Sequence, residues 1–347
     1  MNLLGKDYTK KELMRYCGNL RQIAGITESC YADGKADGMK SYHVKTGSGL
    51  EYTLLPNKCL DIASLTYKGI NLSFLAKPGI TAPQYGYPFE NEFTNYITGG
   101  MLFTAGLQNV GPSCRDDNGT FHPLHGRIGV TPAENPYTKC YWEKEEYLME
   151  AGGTMRESAL FGHNLSLTRK ITSKLGESEI EITDVLENNS PETEEFMLLY
   201  HCNFGFPFLD EDTIIRFPQN TAIPRTEIAK DGIQESEIIT KPQDGFFEHV
   251  FFRDMKADLE GFVTINVENK NLGIGAVIKY EKKNLPNITQ WKSMRSGDYA
   301  LGIEPCNCYV NGRKGERENG TLKKIRPFSK LTFKLIISAY TLKKSVK

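Results

Sequence analysis

Leu331-Thr-Phe-Lys-Leu-Ile-Ile-Ser-Ala339 places an apolar residue at every second position: Leu331, Phe333, Leu335, Ile337 and Ala339. A period of two marks a strand with one face buried and the other toward water. The same alternation runs through Val263, Ile265 and Val267, through Leu165 to Ile171, and through Ile180 to Leu186. In the last run Asp184 falls where an apolar residue is due, which predicts a phase slip and a β-bulge. Shorter strand-like runs at Glu51 to Leu55, Leu60 to Tyr67 and Asn71 to Leu75 are separated by Gly, Pro, Asn and Lys, as in a meander. Only the beginning of the chain has a helical period. Thr9-Lys-Lys-Glu12 has the form of a capping box, and Leu13, Tyr16, Cys17, Leu20 and Ile23 follow at helical spacing up to Gly25.

No fixed-period repeat or Pro/Ser-rich linker divides the chain, so residues 1–347 are expected to form one domain with residues 1–30 as a helical extension. So many strands exceed a single open layer. The expected architecture is all-β: a large antiparallel sandwich of two packed sheets with its site in one concave face. The content of 17 Tyr, 18 Phe and 32 Gly agrees with short strands joined by tight turns. The stretch from Gly79 to Gly100, rich in Pro, Tyr and Asn, is expected to be a long loop, a feature often tied to function.

The charge balance, 42 basic against 43 acidic residues, offers no electrostatic case for nucleic acid or an anionic membrane. The amino terminus lacks the apolar core of a secretory leader, and no run approaches the roughly 20 apolar residues of a spanning helix. A cytoplasmic location is therefore expected, with the eight cysteines as free thiols. Cys306-Asn-Cys308 has no second pair at zinc spacing and is expected to be structural. A homodimer remains open.

Three stretches could carry chemistry. Phe121-His-Pro-Leu-His-Gly-Arg-Ile-Gly129 holds two of the six histidines, His122 and His125, beside Arg127. Imidazoles so close together suit proton transfer or metal binding, although a loop with hydrogen-bonded surface imidazoles has the same spacing. In Phe196 to Phe208 an apolar strand is interrupted by His201 and Asn203, which share a face with Leu199 if the strand alternates. The other reading is a buried histidine bonded to a backbone carbonyl. In Asp298 to Asn307, Glu304 stands at the end of an apolar strand before Pro305, where it either caps a turn or enters a pocket that raises its pKa. Met101 to Pro112 is a strand running into a glycine-rich turn, without the lysine or helix start of a phosphate loop.

Together these stretches resemble the active-site blocks of the aldose 1-epimerases, the galactose mutarotase-like superfamily: His125 in Leu-His-Gly, His201 in Tyr-His-Cys-Asn-Phe-Gly and Glu304 in Gly-Ile-Glu-Pro. The chain is most similar to an uncharacterised bacterial subgroup with Leu-Asp-Ile at residues 60–62, Gly-Gly-x-Leu and Gly-Leu-x-Asn-x-Gly between Gly99 and Gly111, and Gln-Trp-Lys at residues 290–292. The resemblance implies a β-supersandwich that takes a small-molecule sugar and needs no cofactor. It implies His201 as general acid on the ring oxygen, Glu304 as general base on the anomeric hydroxyl, and His125 as a catalytic residue that binds and polarises the sugar. Arg127, a subgroup feature, is assigned to a substrate hydroxyl or carboxylate, and Asn203 and Trp291 to the substrate. The Asn-Arg block that supplies the substrate-binding arginine of characterised mutarotases is not recognisable here. Two other readings stand beside this one: a metal-dependent sugar isomerase with His122, His125, His201 and Glu304 as ligands, and a non-catalytic carbohydrate-binding module on the same fold.

Overall fold

The computed structural model describes residues 1–85 and 92–343. Three large antiparallel sheets build most of the described structure, beside three two-stranded ones. The eight-stranded sheet runs in the order Glu134–Glu143, Glu146–Ser158, Asn164–Lys174, Glu179–Asn188, Lys330–Thr341, Ile274–Glu281, Phe262–Asn269 and Thr213–Arg216. The seven-stranded sheet runs Phe103–Leu107, Glu194–Gly205, Asp298–Cys306, Asn287–Arg295, His249–Met255 and Asn220–Pro224, and Lys323–Ile325 pairs with the start of Glu194–Gly205. A five-stranded meander, Gly25–Cys30, Lys40–Lys45, Leu50–Leu55, Asp61–Tyr67 and Ile70–Asn71, completes the layers. The all-β expectation holds.

The alternating strands behave as their period demands. Leu335 and Ile337, like Val263, Ile265 and Val267, are fully buried and meet Leu198, Cys202 and Ile303 of the seven-stranded sheet in one core that draws on residues from Leu13 to Ala339. Burying each such side chain contributes about 1.5–3 kcal/mol relative to exposure, and this fixes strand register, because a slip of one residue would turn the whole apolar set outward. Glu194–Gly205 differs in being buried on both faces. Its Leu198, Tyr200, Cys202 and Phe204 enter the main core, while Met197 and Leu199 join a second cluster on the opposite side of the sheet. That second side carries the candidate site.

Two local expectations are corrected. The capping box forms, with Thr9 Oγ1 accepting from Glu12 N–H and the Glu12 carboxylate from Thr9 N–H, but the α-helix spans only Lys10–Tyr16. The backbone is already extended at Cys17, and Asn19 caps a separate 3-10 turn at Leu20–Gln22. Gly25–Cys30 is a strand of the meander, so the helical extension does not reach residue 30. Within the expected 79–100 loop there are a 3-10 turn at Pro83–Tyr85, a helical turn at Phe93–Tyr96 and a short strand at Gly99–Gly100, while residues 86–91 lie outside the described ones.

The second correction concerns Asp184. No bulge occurs there: the pairing Arg169↔Asp184↔Phe333 runs through without a shift, and Asp184 sits in phase on the inward face, fully buried. What looks like a slip in apolar period is a buried charge with a partner. Arg169, also fully buried, donates through Nε and Nη2 to Asp184 (2.9 and 2.7 Å), through Nη1 to Asp61 Oδ1 (2.8 Å) and Cys59 O (2.9 Å), and through Nη2 to Thr104 Oγ1 (3.0 Å). All five guanidinium hydrogens find acceptors. Tyr200 O–H donates to Asp184 Oδ2 (2.8 Å), and Asp61 accepts from Thr104 N–H (2.8 Å). The network therefore ties together all three sheets. Burial still pushes the Asp61 carboxyl up to about 6 against the pull of Arg169.

Removing the cation leaves two carboxyls, the Thr104 hydroxyl and the Cys59 carbonyl without their shared donor. We expect Arg169→Met to lower unfolding free energy by about 3–5 kcal/mol, the usual result of breaking a buried pair from one side. Urea unfolding measures this, and a loss under about 1 kcal/mol would show the network to be dispensable.

Candidate active site

On the second face of the seven-stranded sheet, the register of Leu199 opposite Cys306 and Cys202 opposite Ile303 brings His201 opposite Glu304 on neighbouring strands. Their side chains project to the same side. His201 Nε2 lies 3.2 Å from Glu304 Oε1, without the alignment of a hydrogen bond. Glu304 is 1% exposed and His201 9%. Between them in the pleat is Gly302, paired with Asn203 on one side and Trp291 on the other. A Cβ at residue 302 would collide with Glu304 Oε1 and lie 3.1 Å from His201 Cε1 and 3.0 Å from Trp291 Cβ. Gly302 is thus needed for room, which gives the Gly-Ile-Glu-Pro block a physical reason.

Asn203 is one pleat further along, 1% exposed, and its Nδ2 donates to the carbonyls of Gly100 (3.2 Å) and His201 (3.0 Å). Its Oδ1, His201 Nδ1 and Glu304 Oε1 are buried without a well-aligned hydrogen-bond partner, although the Asn203 side chain lies near enough to His201 to lift its pKa against the larger effect of burial. Three such atoms on one surface are costly unless something else satisfies them. Trp291 walls the site, with its ring centroid 5.4 Å from that of His201 and its Nε1 donating to Glu248 Oε2 (2.6 Å). The neighbours in the Gln-Trp-Lys block point the other way: Gln290 accepts from Arg253 Nε (2.8 Å) and Lys292 donates to Glu235 O (2.8 Å).

His125 arrives from a loop. Its backbone has φ +58°, its N–H donates to Gly111 O (3.0 Å), and its carbonyl accepts from Gly106 N–H (3.0 Å). Gly126 follows with φ +74° and bridges Gly106, where a Cβ would strike the Gly106 carbonyl. Only glycine suits that crossing, which accounts for Leu-His-Gly. His125 Nδ1 accepts from Gly111 N–H (3.4 Å), so the neutral ring carries its hydrogen on Nε2. Its ring packs against Phe93 (5.2 Å between centroids) and His201 (6.0 Å).

These groups line a cleft of about 720 Å³, within the range of small-molecule sites. Of the residues singled out from the sequence, His125, His201, Asn203, Trp291 and Glu304 all line it. Arg127 does not; its guanidinium donates to Phe121 O (3.1 Å). His122 is outside as well, with Nε2 2.9 Å from Asp116 Oδ2, so the four-ligand set of the metal reading is not assembled. Among the described residues no group of three or more His, Cys, Asp or Glu is arranged to hold a metal ion. The charged lining residues that were not anticipated include Glu248 and Arg225, whose charges act on Glu304. Neither sits in a recognisable motif, although Arg225 directly follows the Pro224 strand end and precedes the helix cap Thr226.

A family model described as a domain of unknown function, DUF4432, matches residues 36–339. The chain belongs to this family. Among solved structures, a Klebsiella pneumoniae protein provisionally named an aldose 1-epimerase superposes on this DUF4432 chain with TM-score 0.84 at 24% identity, covering 90% of this chain and 83% of the other. A galactose mutarotase-like protein from Clostridium acetobutylicum gives 0.63 at 14% identity over 92% and 100% of the two chains. A galactose 1-epimerase from Lactobacillus acidophilus gives 0.57 at 11% over 92% and 99%. At these identities the likeness shows the fold, that of the galactose mutarotase-like proteins. A search of curated proteins finds no match. Among the described residues no helix is long and apolar enough to cross a membrane.

The electrostatics of the cleft favour uncharged forms. Burial, and then the nearby Glu248, hold the Glu304 carboxyl well above the usual carboxylate range, with Arg225 pulling the other way. Burial and then His125 push His201 down to about 3, and burial and then Arg225 push His125 down to about 4. The sign for stability follows. Glu304 contributes stability that is complete below about pH 4.5 and is lost as pH rises through its raised folded value, because the unfolded carboxyl ionises first. His201 works in the opposite sense: its contribution is present above about pH 6.5 and is lost as pH falls toward 3. Glu304→Gln should therefore melt at a higher temperature than the unsubstituted protein at pH 8 and at nearly the same temperature at pH 4. Thermal unfolding at the two pH values decides it, and a lower melting temperature at pH 8 would mean that the carboxylate is needed where it sits.

Proposed function

We propose that the cleft interconverts the anomers of a reducing sugar by general acid and base catalysis of ring opening and reclosure. The observation that carries this reading is the buried His201–Glu304 pair, set side by side across two strands with unbonded polar atoms in an aromatic-walled cleft. Ring opening needs two proton movements at adjacent oxygens: the anomeric hydroxyl loses a proton as the bond between C1 and the ring oxygen breaks, and the ring oxygen gains one. One proton shared by two groups suffices. Once Nε2 and Oε1, 3.2 Å apart, are brought into line, the Glu304 proton passes to His201 and gives a carboxylate to take the proton from the anomeric hydroxyl and an imidazolium to protonate the ring oxygen. Arg225 favours the carboxylate in that step.

After opening, Glu304 again holds a proton and His201 none, the neutral state that burial prefers. Rotation about the C1–C2 bond turns the aldehyde, and the reverse transfers close the ring on its other face. His125, with Nε2–H available, can donate to a sugar oxygen, Asn203 Oδ1 can accept from a hydroxyl, and Trp291 offers a flat face to the ring. The proton chemistry draws only on side chains.

NMR exchange between anomers at saturating sugar, with calorimetric binding in parallel, tests the assignment. Glu304→Gln should still bind sugar and slow exchange by at least about 10², and His201→Ala and His125→Ala should each lose about 10²–10⁴. His122→Ala should retain most of the rate, since it lies outside the cleft. Sugar binding with no acceleration by the unsubstituted protein would make this a carbohydrate-binding module instead.

A further inference from the structure

Among the described residues the cleft holds a cation with no side-chain partner. Arg225 is fixed at its backbone, where its N–H donates to Val250 O (2.9 Å) and the next residue, Thr226, caps the helix Glu227–Asp231. Its guanidinium lines the cleft, close enough to Glu304 and His125 for its charge to act on both, yet makes no hydrogen bond or ion pair with a described residue. The other charged groups of the lining are committed. Asp298 is shared by Lys77 (2.7 Å) and Arg295 (3.8 Å), and Glu248 accepts from Trp291. Apart from the histidines and the Glu304 that pairs with His201, the described lining residues hold three cations, Lys77, Arg225 and Arg295, against two carboxylates, Asp298 and Glu248, an excess of one positive charge. Much of the remaining wall is apolar, including Phe74, Phe93, Ile97, Phe246 and Val310, and offers few partners for a fully hydroxylated sugar.

We propose that the sugar taken by this cleft carries a carboxylate, as a hexuronate does, and that Arg225 is its counter-ion. This rests on the reading of the cleft as an aldose site. A guanidinium presents two parallel N–H groups that match the two oxygens of a carboxylate, and an excess of one charge balances a monoanion better than a phosphate dianion. In a pyranuronate the carboxylate is borne by the carbon next to the ring oxygen, on the side away from C1. A sugar with its anomeric end at His201 and Glu304 therefore extends its charge from the ring-oxygen side, within the same cleft in which the Arg225 charge acts on Glu304 and His125.

The test compares D-glucuronate and D-galacturonate with D-glucose, D-galactose and D-glucose 6-phosphate, measuring NMR anomer exchange and calorimetric affinity for the unsubstituted protein, Arg225→Gln and Arg225→Lys. The expected result is a kcat/KM for a hexuronate at least about 10² above that for the neutral hexoses, the scale of losing a hydrogen-bonded charge pair. That preference should collapse in Arg225→Gln through a raised KM and return in part in Arg225→Lys. Circular dichroism should show the same fold in all three proteins. Equal kcat/KM for charged and neutral sugars, or a preference that survives Arg225→Gln, would overturn the counter-ion role and leave the epimerase reading standing. A preference for the 6-phosphate over both uronates would overturn the carboxylate assignment. Uronate binding that is lost in Arg225→Gln, with no acceleration of any exchange, would uphold the anion site and overturn the epimerase reading.

Discussion

The Arg169 guanidinium is the point at which the three sheets meet. Its acceptors come from the eight-stranded sheet (Asp184), from the meander and its approach (Asp61, Cys59) and from the first strand of the seven-stranded sheet (Thr104). Tyr200 adds a bond from the strand that carries the catalytic candidate. A buried ion pair is poor evidence for stability in itself, because desolvation offsets much of the attraction. Its value lies in direction: five hydrogen bonds fix where each sheet stands relative to the others, which apolar contact leaves looser. His201 is the next residue after Tyr200, and Phe103, directly opposite His201, is the residue before Thr104. The network on one face of the sheet thus fixes the height and register of the site on the other.

The site opposes that order. It confines a carboxyl, two imidazoles and an amide in a place that burial makes unfavourable for charge, and leaves three of their atoms unbonded. Such an arrangement persists only if the surrounding structure enforces it. The strand pairing places His201 beside Glu304, Gly302 provides the space between them, and the Gly106–Gly126 crossing holds His125 against His201. Burial draws the pKa values of the pair apart so far that the neutral forms are preferred, and a sugar hydroxyl with a ring oxygen offers what the unbonded atoms lack. Proton transfer through a neutral pair avoids forming a lasting charge in an apolar wall.

Much of this was legible in the residues. Strand alternation gave the architecture, the spacing of Thr9 and Glu12 gave the helix cap, and the phase of Leu199, His201 and Asn203 put both polar groups on one face. What stayed hidden depended on partners far away in the chain or on backbone direction. Asp184 looks like an error of period until Arg169, on the adjacent strand, and Asp61, over a hundred residues earlier, are brought against it. Arg127 and His122 stand close to His125 in sequence, but the positive φ at His125 and Gly126 turns the chain so that the three side chains diverge, and only His125 enters the cleft. Arg225 and Glu248 come from an edge strand and the approach to its neighbour, where no motif marks them. The helical period through Leu20 and Ile23 was apolar spacing carried by a turn and a strand entry, broken at Gly18 and Asn19.

The central claim is geometric: a reducing sugar sits with its anomeric carbon between His201 and Glu304. A crystal structure of the protein soaked with a hexuronate or a neutral aldose measures this directly. The account predicts the anomeric hydroxyl and the ring oxygen each within about 2.6–3.2 Å of a different member of the pair. A sugar bound with its anomeric carbon toward the mouth of the cleft, and neither oxygen within reach of His201 or Glu304, would contradict it.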